Sequence, residues 1–237
     1  MRPAHIKTGL AAGAFNALGF ILQTIGAGKT TLSNNAFLTT TNVVMVPFIA
    51  WIFLKKKPHA KNFAAITVCM LGTAVLAGVF ENGLTLNTGD IYSFACAFCY
   101  ASSIVVLSNQ SDDSHFASGA FMMGITHFAA GLMYFIIVEK AQIPSVNWKM
   151  AILPILYLGV GSSFAAQTLQ VACQKYVNPT VAAQILMLES VWGSIDSILM
   201  GFEKFTADLV IGGALIIISL RINEADFKGR KNRNVKT

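Results

Sequence analysis

The chain is poor in charge. Of its 237 residues only 12% are Asp, Glu, Lys or Arg, about half the ~25% of ordinary soluble domains, while 54% are hydrophobic and the mean hydropathy is +0.60. That balance excludes a typical soluble globular domain. Cysteine is also scarce, with four residues, Cys69, Cys96, Cys99 and Cys173, all inside apolar runs, so no secreted disulfide framework is expected. Cys96 and Cys99 form a C-x-x-C, yet no second pair or nearby histidine completes a metal or redox site. On a helix that spacing only sets two small side chains on one face. No His-rich cluster, paired-Asp motif or recognisable Ser/His arrangement points to an enzyme, and neither a cofactor nor a metal is expected.

Gly28-Lys29-Thr30 ends like a phosphate-binding P-loop, but the pattern needs a glycine five residues earlier, where Gln23 stands. It also needs a strand ahead of it. The residues that precede it, Thr8 to Ala27, are twenty without a charge, too many for a strand and enough for a membrane-spanning helix. The tripeptide therefore reads as a charged turn between two apolar runs.

Runs of near-spanning length lie at 8–27, 35–54, 62–80, 89–108, 117–138, 150–173, 180–200 and 206–222. The expected fold is all-α, a polytopic membrane bundle of eight transmembrane helices joined by short polar connections. The first run lacks the short apolar core and small-residue cleavage site of a signal peptide, so it is expected to stay as a span. Thirteen of the 17 Lys and Arg fall on one side of such a bundle: Arg2, Lys7, Lys55, Lys56, Lys57, Lys61, Lys175 and six in the tail from Arg221. Lys29, Lys140, Lys149 and Lys204 fall on the other. By the positive-inside rule both termini are expected in the cytoplasm, with the chain in the cell (inner) membrane. The net charge of +6 calls for no nucleic acid, because the basic tail reads as a solvated anchor beside anionic lipid.

A shift of 147 residues aligns Leu22-Gln23 with Leu169-Gln170, Ala36 with Ala183, Asn42 with Glu189, Val44 with Val191 and Lys57 with Lys204. The first three runs thus repeat as the last three. The second copy begins five spans after the first, so the two enter the membrane from opposite sides, as inverted-repeat transporters require.

The residues that carry the repeat resemble the drug/metabolite transporter superfamily, and within it the EamA-like permeases. In the first copy the resemblance rests on Leu22-Gln23, Gly26, Thr31, Ser33, Ala36-Phe37-Leu38-Thr39, Asn42-Val43, Val46-Pro47 and Trp51. In the second it rests on Leu169-Gln170, Gln174-Lys175-Tyr176, Pro179-Thr180, Ala182-Ala183, Leu186 and Leu188-Glu189, with Gly89-Asp90 opening the fourth run. The resemblance implies two five-helix repeats, whereas this chain has eight runs. Residues 1–81 then form a truncated first repeat lacking two helices, about sixty residues, 82–222 a complete second repeat, and 223–237 the basic tail. Ser190 stands where the family often has proline, so a proline-induced kink is not expected there.

Polar side chains inside a bilayer are costly, so their positions carry information. Asn35, Thr39 and Asn42 share one helix face, as do Gln167, Gln170 and Gln174, and Asn16 and Gln23 lie seven apart on the first span. These stripes either line a pathway or bond helix to helix, at about 0.6 kcal/mol each. Glu189 is the costliest group, at about 2.5–3.5 kcal/mol if left charged at the span centre. It must be protonated, paired or in water, and is the candidate for proton coupling; Asp196 lies seven residues on. His127, beside Gly124 and Gly131, reads as a packed neutral ring, and Trp51 and Trp148 as membrane-edge aromatics. Trp192 and Tyr100 are candidates to stack on a ligand.

The resemblance implies a permease that moves small metabolites or amino-acid-like compounds, outward, by alternating access. Its expected partners are the lipid bilayer and a small-molecule substrate, with no nucleic acid. The other reading is a nontransporting fragment, or a subunit that needs a homodimer or a partner to supply the missing helices.

Overall fold

The computed structural model describes residues 3–55, 57–58, 60–82, 87–109, 116–140, 147–201 and 204–234. Arg2, Lys56 and Lys236 of the charge count lie outside the described residues. Among the described residues there is no strand. The helices are α1 (Pro3–Ala27), α2 (Leu32–Thr40), α3 (Asn42–Leu54), α4 (Ala60–Leu76), α5 (Val79–Asn82), α6 (Thr88–Leu107) and α7 (Phe116–Ile137). Then come α8 (Trp148–Leu156), a π-helical stretch (Tyr157–Ala166), α9 (Gln167–Gln174), α10 (Pro179–Leu186), α11 (Leu188–Leu199) and α12 (Ala207–Asn234).

This is an all-α membrane helical bundle. Five segments, Ile6–Ala27, Ser33–Leu54, Thr88–Leu107, Ala117–Ile137 and Trp148–Gln174, are long and apolar enough to cross a membrane, and Ala60–Leu76 is apolar but shorter. Run 180–200 is divided between α10 and α11, and run 206–222 forms the first part of α12.

Three of the expected continuous spans are interrupted, one of them the run 62–80, where α4 ends at Leu76 and Gly78 turns at φ 63° before α5. The second run breaks at Thr41, whose N–H turns back to Leu38 and whose hydroxyl donates to the same carbonyl at 2.6 Å. The seventh run breaks at Met187, whose N–H bonds the carbonyls of Ala183 and Gln184. Under the 147-residue shift Thr40 falls on Met187, so the breaks occupy matching places in the two copies. Neither has a proline at the break. Pro47 lies further along α3, and Ser190 follows Met187 by most of a turn. Side-chain back-bonding from Thr41 accounts for the first break, since a hydroxyl that satisfies its own turn loosens the helix ladder.

The core lies where α3, α4, α6, α10 and α12 converge. Val43, Val46, Ile49, Ile66, Cys69, Ile104, Val105, Ala183 and Ile216 are all buried in one cluster. A smaller cluster joins α1, α6, α7 and α9 through Ala12, Leu107, Met123 and Val171. Glycines set the closest crossings. A Cβ at Gly13 would stand 2.8 Å from the Met123 Cα, and one at Gly9 2.9 Å from the Gly119 carbonyl, so α1 and α7 touch almost backbone to backbone. The last helices of the two copies meet the same way. A Cβ at Gly72 would lie 2.8 Å from the Gly212 carbonyl, and one at Gly212 2.7 Å from the Gly72 carbonyl.

Candidate functional site

The interruptions give the bundle its polar landmarks. Asn42 is the first residue of α3 and Glu189 the second of α11, so the two residues aligned by the 147-residue shift both lie just after a break. Asn42 is buried and its Oδ1 has no hydrogen-bond partner, whereas Glu189 is exposed at the surface of the described bundle. Trp192, one turn further along α11, is 63% exposed, and Asp196 is also exposed.

The first-copy candidates are drawn together against α6. The Tyr100 hydroxyl donates to Gln23 Oε1 at 2.8 Å, and Ser93 donates to Asn35 Oδ1 at 2.7 Å. Thr39 donates to the Asn35 carbonyl at 2.7 Å. Nearer the turn between α1 and α2, the Thr30 hydroxyl donates to Asp90 Oδ1 at 2.6 Å, while the other oxygen of that carboxylate accepts the Asn87 N–H at 2.7 Å. This turn contains Gly28-Lys29-Thr30. It is closed tightly on α6, because a Cβ at Gly89 would lie 2.7 Å from the Lys29 carbonyl carbon. Lys29 sits over the Tyr92 ring at 5.1 Å.

The second-copy candidates stand apart from these. Gln170 donates to Gln174 Oε1 at 3.0 Å on the same helix, and Gln174 reaches α6 by donating to the Ile104 carbonyl at 2.8 Å and to Ser108 at 3.3 Å. Gln167 is half-buried with its Oε1 unpartnered, at the edge of a cavity of about 240 Å³ beside Phe20, His127 and Gly131. His127 Nε2 lies 2.9 Å from Asn16 Oδ1, and its ring meets Phe20 edge-on. A further cavity of about 300 Å³ opens between α2, α4 and α11, lined by Thr40, Thr73, Ser190 and Ser194. Another, of about 690 Å³, lies at the lysine-rich end between α3, α6 and α10.

Two features escaped the sequence reasoning. Gln184 is fully buried and accepts a short hydrogen bond from Asn223, tying α10 to α12; a lone amide in each of two spans gave no stripe to notice. Asp90 and Ser93 serve as the anchor points of the α1–α2 turn. An aspartate three residues after Asn87 is a legible capping signal, but its link to Thr30 spans sixty positions.

A model of the EamA-like transporter family matches residues 2–78 and again 87–223. The chain belongs to the EamA-like transporter family. It is accordingly a multi-pass membrane protein and a membrane transporter of the drug/metabolite type, with the lipid bilayer as its surroundings and a small molecule as its substrate. A relative from Archaeoglobus fulgidus described as an uncharacterized transporter is 29% identical over 222 residues, spanning 91% of this chain and 70% of the relative. A solved crystal structure superposes with a TM-score of 0.69 at 15% identity, covering 94% of this chain and 88% of the other, which supports the fold. The first of the two EamA matches is shorter than the second by about sixty residues, the length of two spanning helices with a turn.

Proposed function

We propose that this EamA protein is a secondary transporter that exports small metabolites or amino-acid-like compounds. The two repeats alternate in opening a midplane pathway, and the termini lie in the cytoplasm of a cell whose inner membrane holds the chain. The observation that carries this reading is the pair of matched interruptions at Thr41 and Met187. Each loosens the hydrogen-bond ladder of a span beside a polar residue, and in transporters interrupted helices build the solute and ion sites. Asn42 and Glu189 are those polar residues. Glu189 is the coupling group, taking a proton on one side and releasing it on the other, while Gln23, Asn35, Thr39, Tyr100, Gln167, Gln170 and Trp192 line the route.

Flux of a metabolite panel into vesicles under an imposed proton gradient tests it. Glu189→Gln is expected to abolish gradient-driven accumulation of a transported solute while sparing exchange down its own gradient. Unchanged accumulation in that variant would sink the coupling role.

A second reading is favoured by one observation. No residue from 148 to 170 with a described side chain is buried, although Trp148–Gln174 is a membrane-length helix. On that reading the chain works only with a partner helix pair, or a second copy, covering this face. Flux by the purified chain alone, at a molecular mass of one protomer, speaks against it.

A further inference from the structure

The cavity at the lysine-rich end is lined by lysines, unlike the two smaller cavities described above. Its volume is about 690 Å³, and Lys55, Lys57 and Lys175 line it together with Asn62, Asn178 and Thr180. No described lining residue is acidic. The walls between the lysines are apolar, from Pro47, Ala50, Val177 and Pro179. A concave wall concentrates the field of the charges around it, so three lysines lining one volume raise its potential more than the same charges spread over a flat surface would. The positive-inside rule explains why lysines lie at this end. It does not explain why they converge, since Lys61 and Arg221 stand at the same end outside the cavity lining.

Lys55 adds an independent sign. It caps α3 with φ 55° and ψ 20°, the left-handed conformation that glycine or asparagine normally fills at a helix end. A lysine held there accepts backbone strain at a position that lines the cavity. Across the cavity, Asn178 caps α10 by accepting the Thr180 N–H at 3.0 Å, which sets the positive end of that helix against the same space. In both turns a lysine lies over a ring, Lys29 over Tyr92 at 5.1 Å and Lys175 over Tyr176 at 4.8 Å, but the turn at the other end also holds an acid, the Asp90 carboxylate bonded to Thr30.

We propose that this cavity is an anion-binding vestibule that takes a dianionic phosphate group, carried by a small solute or by a lipid headgroup. Three lysines around one volume match a group with two charges and several acceptor oxygens better than a neutral or cationic one. A solute held there rests on the transport reading and makes the vestibule its cytoplasmic entrance.

The test uses the full chain in vesicles of neutral lipid, with inorganic phosphate as the probe and lysine acylation read by mass spectrometry. Phosphate is expected to slow acylation of Lys55, Lys57 and Lys175 at least fivefold and to leave Lys29 unchanged, with the protection fading as salt rises. In a second arm, vesicles containing phosphatidic acid identify the lipid as the source if the three lysines are already protected and added phosphate changes nothing. Lys175→Gln is expected to weaken phosphate binding about tenfold. Lys55→Gly removes the charge and relieves the left-handed backbone, so it is expected to weaken binding while raising the melting temperature, which separates lost binding from lost folding. Equal protection of Lys29, no protection in either arm, or full affinity in both variants overturns the proposal. Phosphate binding without flux of any solute leaves the vestibule standing and fails the transport reading; proton-driven flux without phosphate binding does the reverse.

Discussion

Helix α1 and the helix assembled from α8, the π stretch and α9 are repeat mates, yet their surroundings differ. A third of the most apolar stretch of α1 is buried, with Gly9, Ala12, Gly13, Asn16, Ala17 and Gly19 facing α6 and α7. In Trp148–Gln174 the corresponding stretch buries nothing. Ala12, the mate of Gly159, is fully buried and its carbonyl accepts a hydrogen bond from Ser103 at 3.0 Å, whereas an added Cβ at Gly159 would meet no atom within 4 Å. The same position in the repeat is therefore packed in one copy and bare in the other. What differs is the neighbour: α6 and α7 flank α1, and no helix pair among the described residues flanks α8. Shared sequence sets which face of a span is built for packing, and the presence of a flanking pair decides whether that face is filled.

Substitutions at mated positions can break or sharpen this contrast. The largest effect is expected at Gly13→Val, because the new side chain must enter backbone space at Met123 and Thr126. A loss of about 3 kcal/mol or more in detergent unfolding is expected, at the upper end for overpacking. Asp90→Ala comes next, since it strips partners from Thr30 and from the Asn87 N–H. About 2 kcal/mol is expected, with earlier proteolysis at the α1–α2 turn as a second readout. The amide mates should then divide. Gln23→Leu removes an interhelical bond from Tyr100 and is expected to cost about 0.6–1.7 kcal/mol, whereas Gln170→Leu loses only a bond within its own helix and is expected near zero. Smallest of all, Gly159→Ala should be neutral or stabilise by about 0.5–1 kcal/mol, as for any unobstructed helical glycine. A measured destabilisation at Gly159 would mean that this face is covered in the membrane, and the contrast would then disappear.

Much of this architecture was legible. Apolar runs located the helices because the bilayer demands about twenty apolar residues per crossing, and the 147-residue shift read from Leu22-Gln23 and Leu169-Gln170 brings the breaks at Thr41 and Met187 to within one position of each other. The breaks themselves were not legible. No glycine or proline marks Thr41 or Met187, and a threonine hydroxyl turning on its own helix leaves no periodic trace. The candidate residues were found as stripes, but stripes say nothing of partners. Gln23 bonds a tyrosine 77 positions away and Asn35 a serine 58 away, distances in sequence at which local spacing is silent. The lysines entered the sequence reasoning only as a tally of sides, and their meeting around one cavity is a property of the folded turns.

The crossing of α4 and α12 limits how this protein can change over generations. At most tight contacts a larger residue on one side is accommodated by a smaller one opposite. At Gly72 the nearest obstruction is the Gly212 carbonyl, and at Gly212 the Gly72 carbonyl stands as close as the Leu76 side chain, so trimming side chains leaves main chain blocking each site. No second-site substitution at the partner glycine can rescue a first. α4 and α12 are bound at this point to one shared choice of residue.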